Sequence, residues 1–291
     1  TTEIYTLSLH DALPIYIGGC KFYPHVDKVV VVSRDSFSGP LLNIYFTKPL
    51  KTLNYHAYYI EEPKPFCYRI KGPGLMLDLK SRKKPLLENE TGYVDFNNKP
   101  TYYYSLTNID TKGVIEIEGK KIKVKGKSWM DHQWANVANI TNDFWNWFSI
   151  QLDDNSELVC YEYGNSDNTF LLATISNSDG SQISYHNISI IPMGYKWKSE
   201  ATGATYDLEW QIKSDEINMD LIIKSRVLEH EMNFLNINYW EGPTEISGTF
   251  RGNQVRGYGY MELAGRSSVF VNFDHIMRKT KNKIKERIKG K

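Results

Sequence analysis

Apolar side chains return at every second position along much of this chain, and that period constrains the fold more than any other feature. A strand sends successive side chains to opposite faces, so period two fits a half-buried strand and not a helix. The clearest case is Val114 to Lys125, where Ile115, Ile117, Ile122 and Val124 alternate with Glu116, Glu118, Lys121 and Lys123. Gly119-Lys120 in the middle suits a two-residue type II′ turn, whose first position favours glycine. That register sets Glu118 opposite Lys121 and Glu116 opposite Lys123. It joins Ile117 to Ile122 and Ile115 to Val124 on the buried face.

The pattern recurs downstream. Phe148 to Leu152 and Leu158 to Tyr163 form a second hairpin around Asp153-Asp154-Asn155-Ser156. Leu208, Trp210 and Ile212 alternate, and Ile217, Met219, Leu221 and Ile223 follow the turn residues Ser214-Asp215-Glu216. Thr249 to Val255 turns at Gly252-Asn253. Strands with turns at this spacing predict an all-β barrel or sandwich. No strand–helix–strand alternation is visible, which argues against a doubly wound dinucleotide-binding sheet. The Gly119 and Gly252 hairpins sit in comparable settings, a hint of two similar β-units in tandem. A boundary near Gly126 gives pieces of domain size. The expected organisation is an N-terminal domain over 16–125, a C-terminal domain over 126–268 and a basic tail over 269–291 with a short helical look.

Composition removes several classes. The 20 Tyr, 12 Phe and 7 Trp supply too much apolar area for a disordered chain. No apolar run approaches the ~20 residues of a membrane-spanning helix. Cys20, Cys67 and Cys160 are too widely spaced for a disulfide framework or a zinc site, and read as buried free thiols. The segment Arg278 to Lys291 carries eight basic residues and one acidic, while residues 16–277 carry 27 basic and 31 acidic. The mildly acidic body offers no footprint for nucleic acid. The tail sets Ile276, Ile284 and Ile288 on one helical face and is expected either to touch an anionic membrane surface or to end as solvated chain.

The densest polar-aromatic stretch is Ser128-Trp129-Met130-Asp131-His132-Gln133-Trp134. In an extended conformation Met130, His132 and Trp134 face one way, and Trp129, Asp131 and Gln133 the other. Further candidates are Tyr102, Tyr103, Tyr104, Trp145, Trp147, Tyr161, Glu162, Tyr163 and the run Tyr239-Trp240-Glu241-Gly242. A cleft lined by Trp and Tyr suits a flat apolar ligand. His132 can move protons near neutral pH, and Asp131, Glu162 or Glu241 can do so if burial raises its pKa. Aromatic faces can stabilise a developing carbocation by about 2 kcal/mol each when desolvated. Together these parts suit proton-initiated chemistry on an alkene. The competing reading makes the aromatics core and the Asp-His neighbours a structural pair. No nucleophile elbow, phosphate-binding loop or zinc-protease motif is present, and no histidine pair has metal-ligand spacing.

Two resemblances add to this reading. Thr2 to Ile15 resembles the in-frame translation of a sequencing adapter. The segment 1–15 is therefore expected to be non-native, which removes His10 and Asp11 from the candidates. A native first strand or a signal peptide is expected to be missing, leaving an unpaired sheet edge. The run Gly126 to Trp134, ending in Trp-Met-Asp-His-Gln-Trp, resembles the carotenoid hydratase/AttH family of tandem lipocalin-like proteins. Tyr102 to Ser105, Trp145 to Leu158, Trp197 to Tyr206, Tyr239 to Gly242 and Gly257 to Gly265 resemble further segments of that family.

The resemblance implies two lipocalin-like antiparallel β-barrels packed together, with a ligand cleft near their junction and no cofactor. It implies catalysis by His132 and Trp134 and by a later Tyr-x-Asp pair. This chain reads Tyr161-Glu162-Tyr163 there, so with Tyr161 as the matching Tyr, Tyr163 replaces the carboxylate, a departure from the carotenoid hydratase pattern. The leading expectation is a hydratase, isomerase or cyclase acting on a polyene, isoprenoid or polyketide-like molecule. His132 carries the proton, and Asp131 or Glu241 is the carboxylate. Trp134, Trp147, Tyr161, Tyr163, Tyr103 and Trp145 shape the pocket, and no metal takes part. The alternative is a non-catalytic carrier of a lipophilic molecule, linked to an ABC-type export system.

Overall fold

The computed structural model describes residues 2–4, 8–12, 43–45, 52–55, 58–96, 100–117, 119–135, 143–165, 168–234 and 237–265. Among them the chain is all-β apart from one 3-10 turn at Glu88–Glu90. The first sheet contains β1 (Thr2–Ile4), β2 (Ser8–Ala12), β3 (Asn43–Tyr45), β4 (Thr52–Tyr55), β5 (Tyr58–Lys64) and β6 (Cys67–Gly72). It continues with β7 (Leu75–Ser81), β8 (Leu86–Leu87), β9 (Tyr93–Asp95), β10 (Pro100–Ile117) and β11 (Lys120–Ala135). Its order is β1-β11-β10-β7-β6-β5-β4-β3, with β2 also on β11 and with β8 and β9 on β10.

The second sheet begins with β12 (Phe144–Leu152), β13 (Glu157–Gly164), β14 (Thr169–Ser176), β15 (Gln182–Tyr185) and β16 (Ser189–Pro192). A separate ribbon pairs β17 (Lys196–Lys198) with β18 (Thr205–Asp207). Then come β19 (Glu209–Ser214), β20 (Met219–Ser225), β21 (Glu231–Phe234), β22 (Ile237–Phe250) and β23 (Asn253–Ala264). The order is β15-β14-β13-β12-β23-β22-β20-β19-β16, with β21 on β22. The chain divides into two compact units. The first takes Thr1–Ala138, Ser149–Val159 and Leu172–His186, and the second takes Asn139–Phe148, Cys160–Leu171 and Asn187–Lys291. The expected boundary residue Gly126 lies inside β11.

In the first unit the alternating positions build one apolar face. Ile70, Leu77, Leu79, Leu106, Ile109 and Val124 are buried together, and Ile60, Tyr68, Leu75, Tyr104, Ile115, Ile122 and Met130 pack against them. Each fully buried side chain of this kind contributes about 1.5–3 kcal/mol. In the second unit Leu208, Trp210, Ile212, Leu221, Ile223, Trp240, Met261 and Leu263 are buried, and Phe148 meets Trp210 edge to face at 5.7 Å.

Both glycine hairpins turn one residue earlier than expected. Ile117 pairs with Lys120 and Phe250 with Asn253, and the second loop is Arg251-Gly252. Arg251 and Gly252 both adopt positive φ, 53° and 78°. A type I′ turn needs this at both positions and takes glycine second. The slip preserves the kinds of pair: Glu116 faces Lys121 and Ile115 faces Ile122. It leaves Ile117 at the tip, 52% exposed rather than in the core.

The expected bare edge of β11 is occupied in this structure. β1 and β2 pair with it in parallel, which follows from the row of unused N–H and C=O groups that an edge strand offers any extended segment. Cys160 is buried and Cys67 half-buried, both as free thiols. Cys20 and the expected helical tail lie outside the described residues. Among the described residues no helix is long and apolar enough to cross a membrane.

Candidate active site

The antiparallel pairing of β10 with β11 sets Tyr102 opposite Trp134, Tyr103 opposite Gln133, Tyr104 opposite His132 and Ser105 opposite Asp131. Directly paired residues share a face. His132 and Tyr104 therefore stand together, on the side that carries Leu106, Met130 and the apolar cluster. His132 is half-buried. Its Nδ1 lies 3.2 Å from the Tyr104 hydroxyl, and the two rings lie 5.2 Å apart at a tilt of 32°. Tyr104 is the residue that sequence reasoning passed over for Tyr103. Three consecutive tyrosines give no hint of which one shares a face with the imidazole. The Trp134 side chain lies outside the described residues; its backbone faces Tyr102, which is 51% exposed.

Tyr103 and Asp131 occupy the opposite face. Asp131 is 2% exposed, and its Oδ1 accepts the Ser105 hydroxyl at 2.6 Å and the Trp129 indole N–H at 2.7 Å. Close by is a carboxyl that sequence reasoning missed. Glu88, from the 3-10 turn, is wholly buried, with Oε1 3.5 Å from the Ser105 Oγ. Burial pushes its pKa well above the ordinary carboxyl value, and the Asp131 charge adds to the rise against hydrogen bonds from Thr174 and Ser105. Nothing in the polar run Glu88-Asn89-Glu90-Thr91 signals a buried residue.

The remaining candidates belong to the second unit. Glu241 on β22 lies opposite Glu262 on β23 and is 2% exposed. The Trp145 indole donates to Glu262 at 2.8 Å. Burial and the two glutamates push the Tyr260 phenol upward. Trp147 and Tyr161 are buried, and Tyr161 stacks on Phe170 at 6.2 Å. The Tyr163 hydroxyl donates to the buried Asp143, and burial followed by that carboxylate pushes the phenol upward. Glu162 points away, to accept the Asn146 amide at 2.6 Å. A carboxylate thus stands at the end of Tyr163, contributed by the residue preceding β12 rather than by β13. Among the described residues no group of three or more His, Cys, Asp or Glu has metal-binding geometry.

The family described as AttH-like matches residues 54–266. The chain belongs to the AttH-like family. An AttH-type protein from Nitrosomonas europaea shares the fold, with a TM-score of 0.67 and 24% identity over 75% of this chain and 71% of that one. Kievitone hydratase from Nectria haematococca also shares it, with a TM-score of 0.65 and 19% identity over 74% of this chain and 71% of that one. Dehydratase asqC of Emericella nidulans is 24% identical over 208 residues, 66% of this chain. The chain spans about 58% of that dehydratase's length.

In this AttH-like chain most of the motif residues that stand out in the sequence are tied into the framework. Ser199, Thr202 and Tyr206 all donate hydroxyl hydrogen bonds to one buried carboxylate, Glu231. Glu157 accepts from Lys83 at 2.6 Å and from Asn108 at 2.7 Å. The Trp240 indole donates to the Leu228 carbonyl at 2.7 Å. Buried donors and acceptors that are satisfied this fully account for the motifs as architecture. The His132–Tyr104 pair differs. It sets a half-buried titratable ring on an apolar face.

Proposed function

We propose that this AttH-like protein is a hydro-lyase of the hydratase or dehydratase type, acting on an apolar unsaturated small molecule beside His132. The observation that carries this reading is the His132–Tyr104 pair, 3.2 Å apart, on the apolar face of the first unit. An imidazole can serve as both acid and base near neutral pH, and adding or removing water across a double bond needs both. The activities of kievitone hydratase and dehydratase asqC support the reaction class. Asp131, held by Ser105 and Trp129 on the other face, is read as a framework carboxylate rather than a proton donor. In the same proposal each large sheet is a lipocalin-like barrel, and no cofactor is required. Trp145, Trp147, Tyr161 and Tyr163 give the second unit an aromatic face for the same kind of ligand.

The test is incubation of the purified protein with an isoprenoid- and polyketide-rich extract, followed by mass spectrometry. A compound gaining or losing the mass of one water with the unsubstituted protein, and not with His132→Ala, is the expected result. The same change with His132→Ala removes His132 from the chemistry. An unmodified lipophilic compound retained by both proteins supports a carrier instead.

A further inference from the structure

Strand register extends the His132 face beyond the imidazole. Leu87 on β8 is paired with Tyr104, and Tyr93 on β9 with Tyr102. Directly paired residues share a face, as do alternate residues along one strand. Leu87, Tyr93 and Tyr102 therefore stand on the same face as Tyr104 and His132. The residues between them fit this alternation, since Leu86, Val94 and Thr101 are all buried on the other side. The Tyr93 and Tyr102 rings meet edge to face, with centroids 5.6 Å apart. Exposure on this face falls from row to row. Tyr102 is 51% exposed, Tyr93 42% and Leu87 38%. Tyr104 and His132 are half-buried, and Leu106, the next residue of β10 on that face, is fully buried. The imidazole sits where an exposed aromatic rim gives way to packed apolar core.

From this geometry we infer that Tyr102 and Tyr93, with Leu87 beside them, form a specificity-determining subsite next to His132, and that it takes a planar aromatic or conjugated group of the substrate. Exposed apolar side chains grouped in one patch mark a binding surface more often than the same residues scattered singly. The chemistry of the rim selects the ligand. A tyrosine ring gains from area burial with any apolar partner, but it gains the further stacking term only from a flat one. The Tyr93 contact braces the Tyr102 ring, so one flat surface is presented rather than a freely turning side chain.

The consequence for the substrate rests on the hydro-lyase reading. Tyr102 is the diagonal neighbour of His132 across the β10–β11 pair. Such neighbours lie about 7–8 Å apart, within reach of one bound molecule. The flat group is therefore held about 7 Å from the carbons that gain or lose water. A saturated chain with one isolated double bond gains nothing from the rim, whereas a ring-bearing or polyene molecule is anchored by it with the reacting bond beside the imidazole. Tyr102 and Tyr93 bind and orient, and exchange no proton with the substrate.

Binding is read without turnover, so its outcome stands apart from that of the extract assay. The probes are 4-hydroxystilbene, which is flat, and its saturated counterpart 4-(2-cyclohexylethyl)cyclohexanol, which is not. Stilbene fluorescence reports the first, and displacement of the stilbene reports the second. The unsubstituted protein should bind the stilbene about fivefold more tightly than the saturated alcohol, the scale of one aromatic contact. Tyr102→Ala should erase that preference by weakening the stilbene alone, and Tyr102→Phe should keep it. Tyr258, an exposed tyrosine of the second unit, is the control, and Tyr258→Ala should change neither affinity. No stilbene binding, or a preference that survives Tyr102→Ala, overturns the inference. An equal loss in Tyr258→Ala also overturns it, since the probe is then adsorbed by any surface ring. In the extract assay the compound that changes by one water should carry a ring or a conjugated system, and Tyr102→Ala should raise its KM with kcat little changed. Water exchanged only on compounds lacking such a group overturns the subsite and sustains the hydro-lyase. A preference lost in Tyr102→Ala with no compound altered sustains the subsite and overturns the hydro-lyase.

Discussion

At the scale of single residues, alternation along β11 was legible: His132 and Asp131 lie on opposite faces, as period two requires. What surrounds Asp131 was not, because Glu88 arrives from a polar turn in the next layer of chain. Its raised pKa carries a sign. The folded state holds the Glu88 proton more tightly than the unfolded chain, so the contribution to stability is full below the ordinary carboxyl value of 4.5. It is lost as pH rises from there toward the folded-state value. Glu88→Gln is neutral at every pH and removes this slope. The variant should gain on the unsubstituted protein as pH is raised from about 5 to neutrality in urea unfolding midpoints. A gap that stays constant over that range means Glu88 does not hold a proton in the folded state.

At the scale of elements, the hairpins were readable and their loops were displaced by one residue. A Gly beside a charged residue fits either loop position by composition. Only the φ values of Arg251 and Gly252 select the type I′ turn. Gly113 is a sharper case. It sits within β10 opposite Leu77 and Val124, in a row that otherwise carries apolar side chains. A Cβ added there would lie 2.0 Å from the Met76 carbonyl oxygen and 2.9 Å from the Leu77 Cα. Those are backbone atoms, so β7 and β10 would have to part. Gly113→Ala should cost about 3 kcal/mol in urea denaturation, the scale of severe overpacking. A loss below about 0.5 kcal/mol, the range of neutral surface changes, would show that the strands can shift freely.

At the scale of the whole molecule, the candidates divide between two units: His132, Asp131 and Tyr103 in the first, Trp145, Trp147, Tyr161, Tyr163 and Glu241 in the second. The first sheet also takes up β1 and β2 along β11, in the segment that resembles an adapter translation. Deleting residues 1–15 removes those partners and bares that edge. Light scattering should then show concentration-dependent association, because an open edge pairs with other chains. A monomeric deletion protein would show that β1 and β2 protect nothing. The sequence by itself determined the all-β class, the strand faces and the family motifs, since these rest on period-two patterning and local turn chemistry. The tertiary structure decided that Tyr104 rather than Tyr103 meets His132, that Glu88 is buried beside Asp131, and that Asp143 supplies the carboxylate at Tyr163. Each of those partners is brought in by strand register or by a distant turn, and neither is written in the spacing of neighbours along the chain.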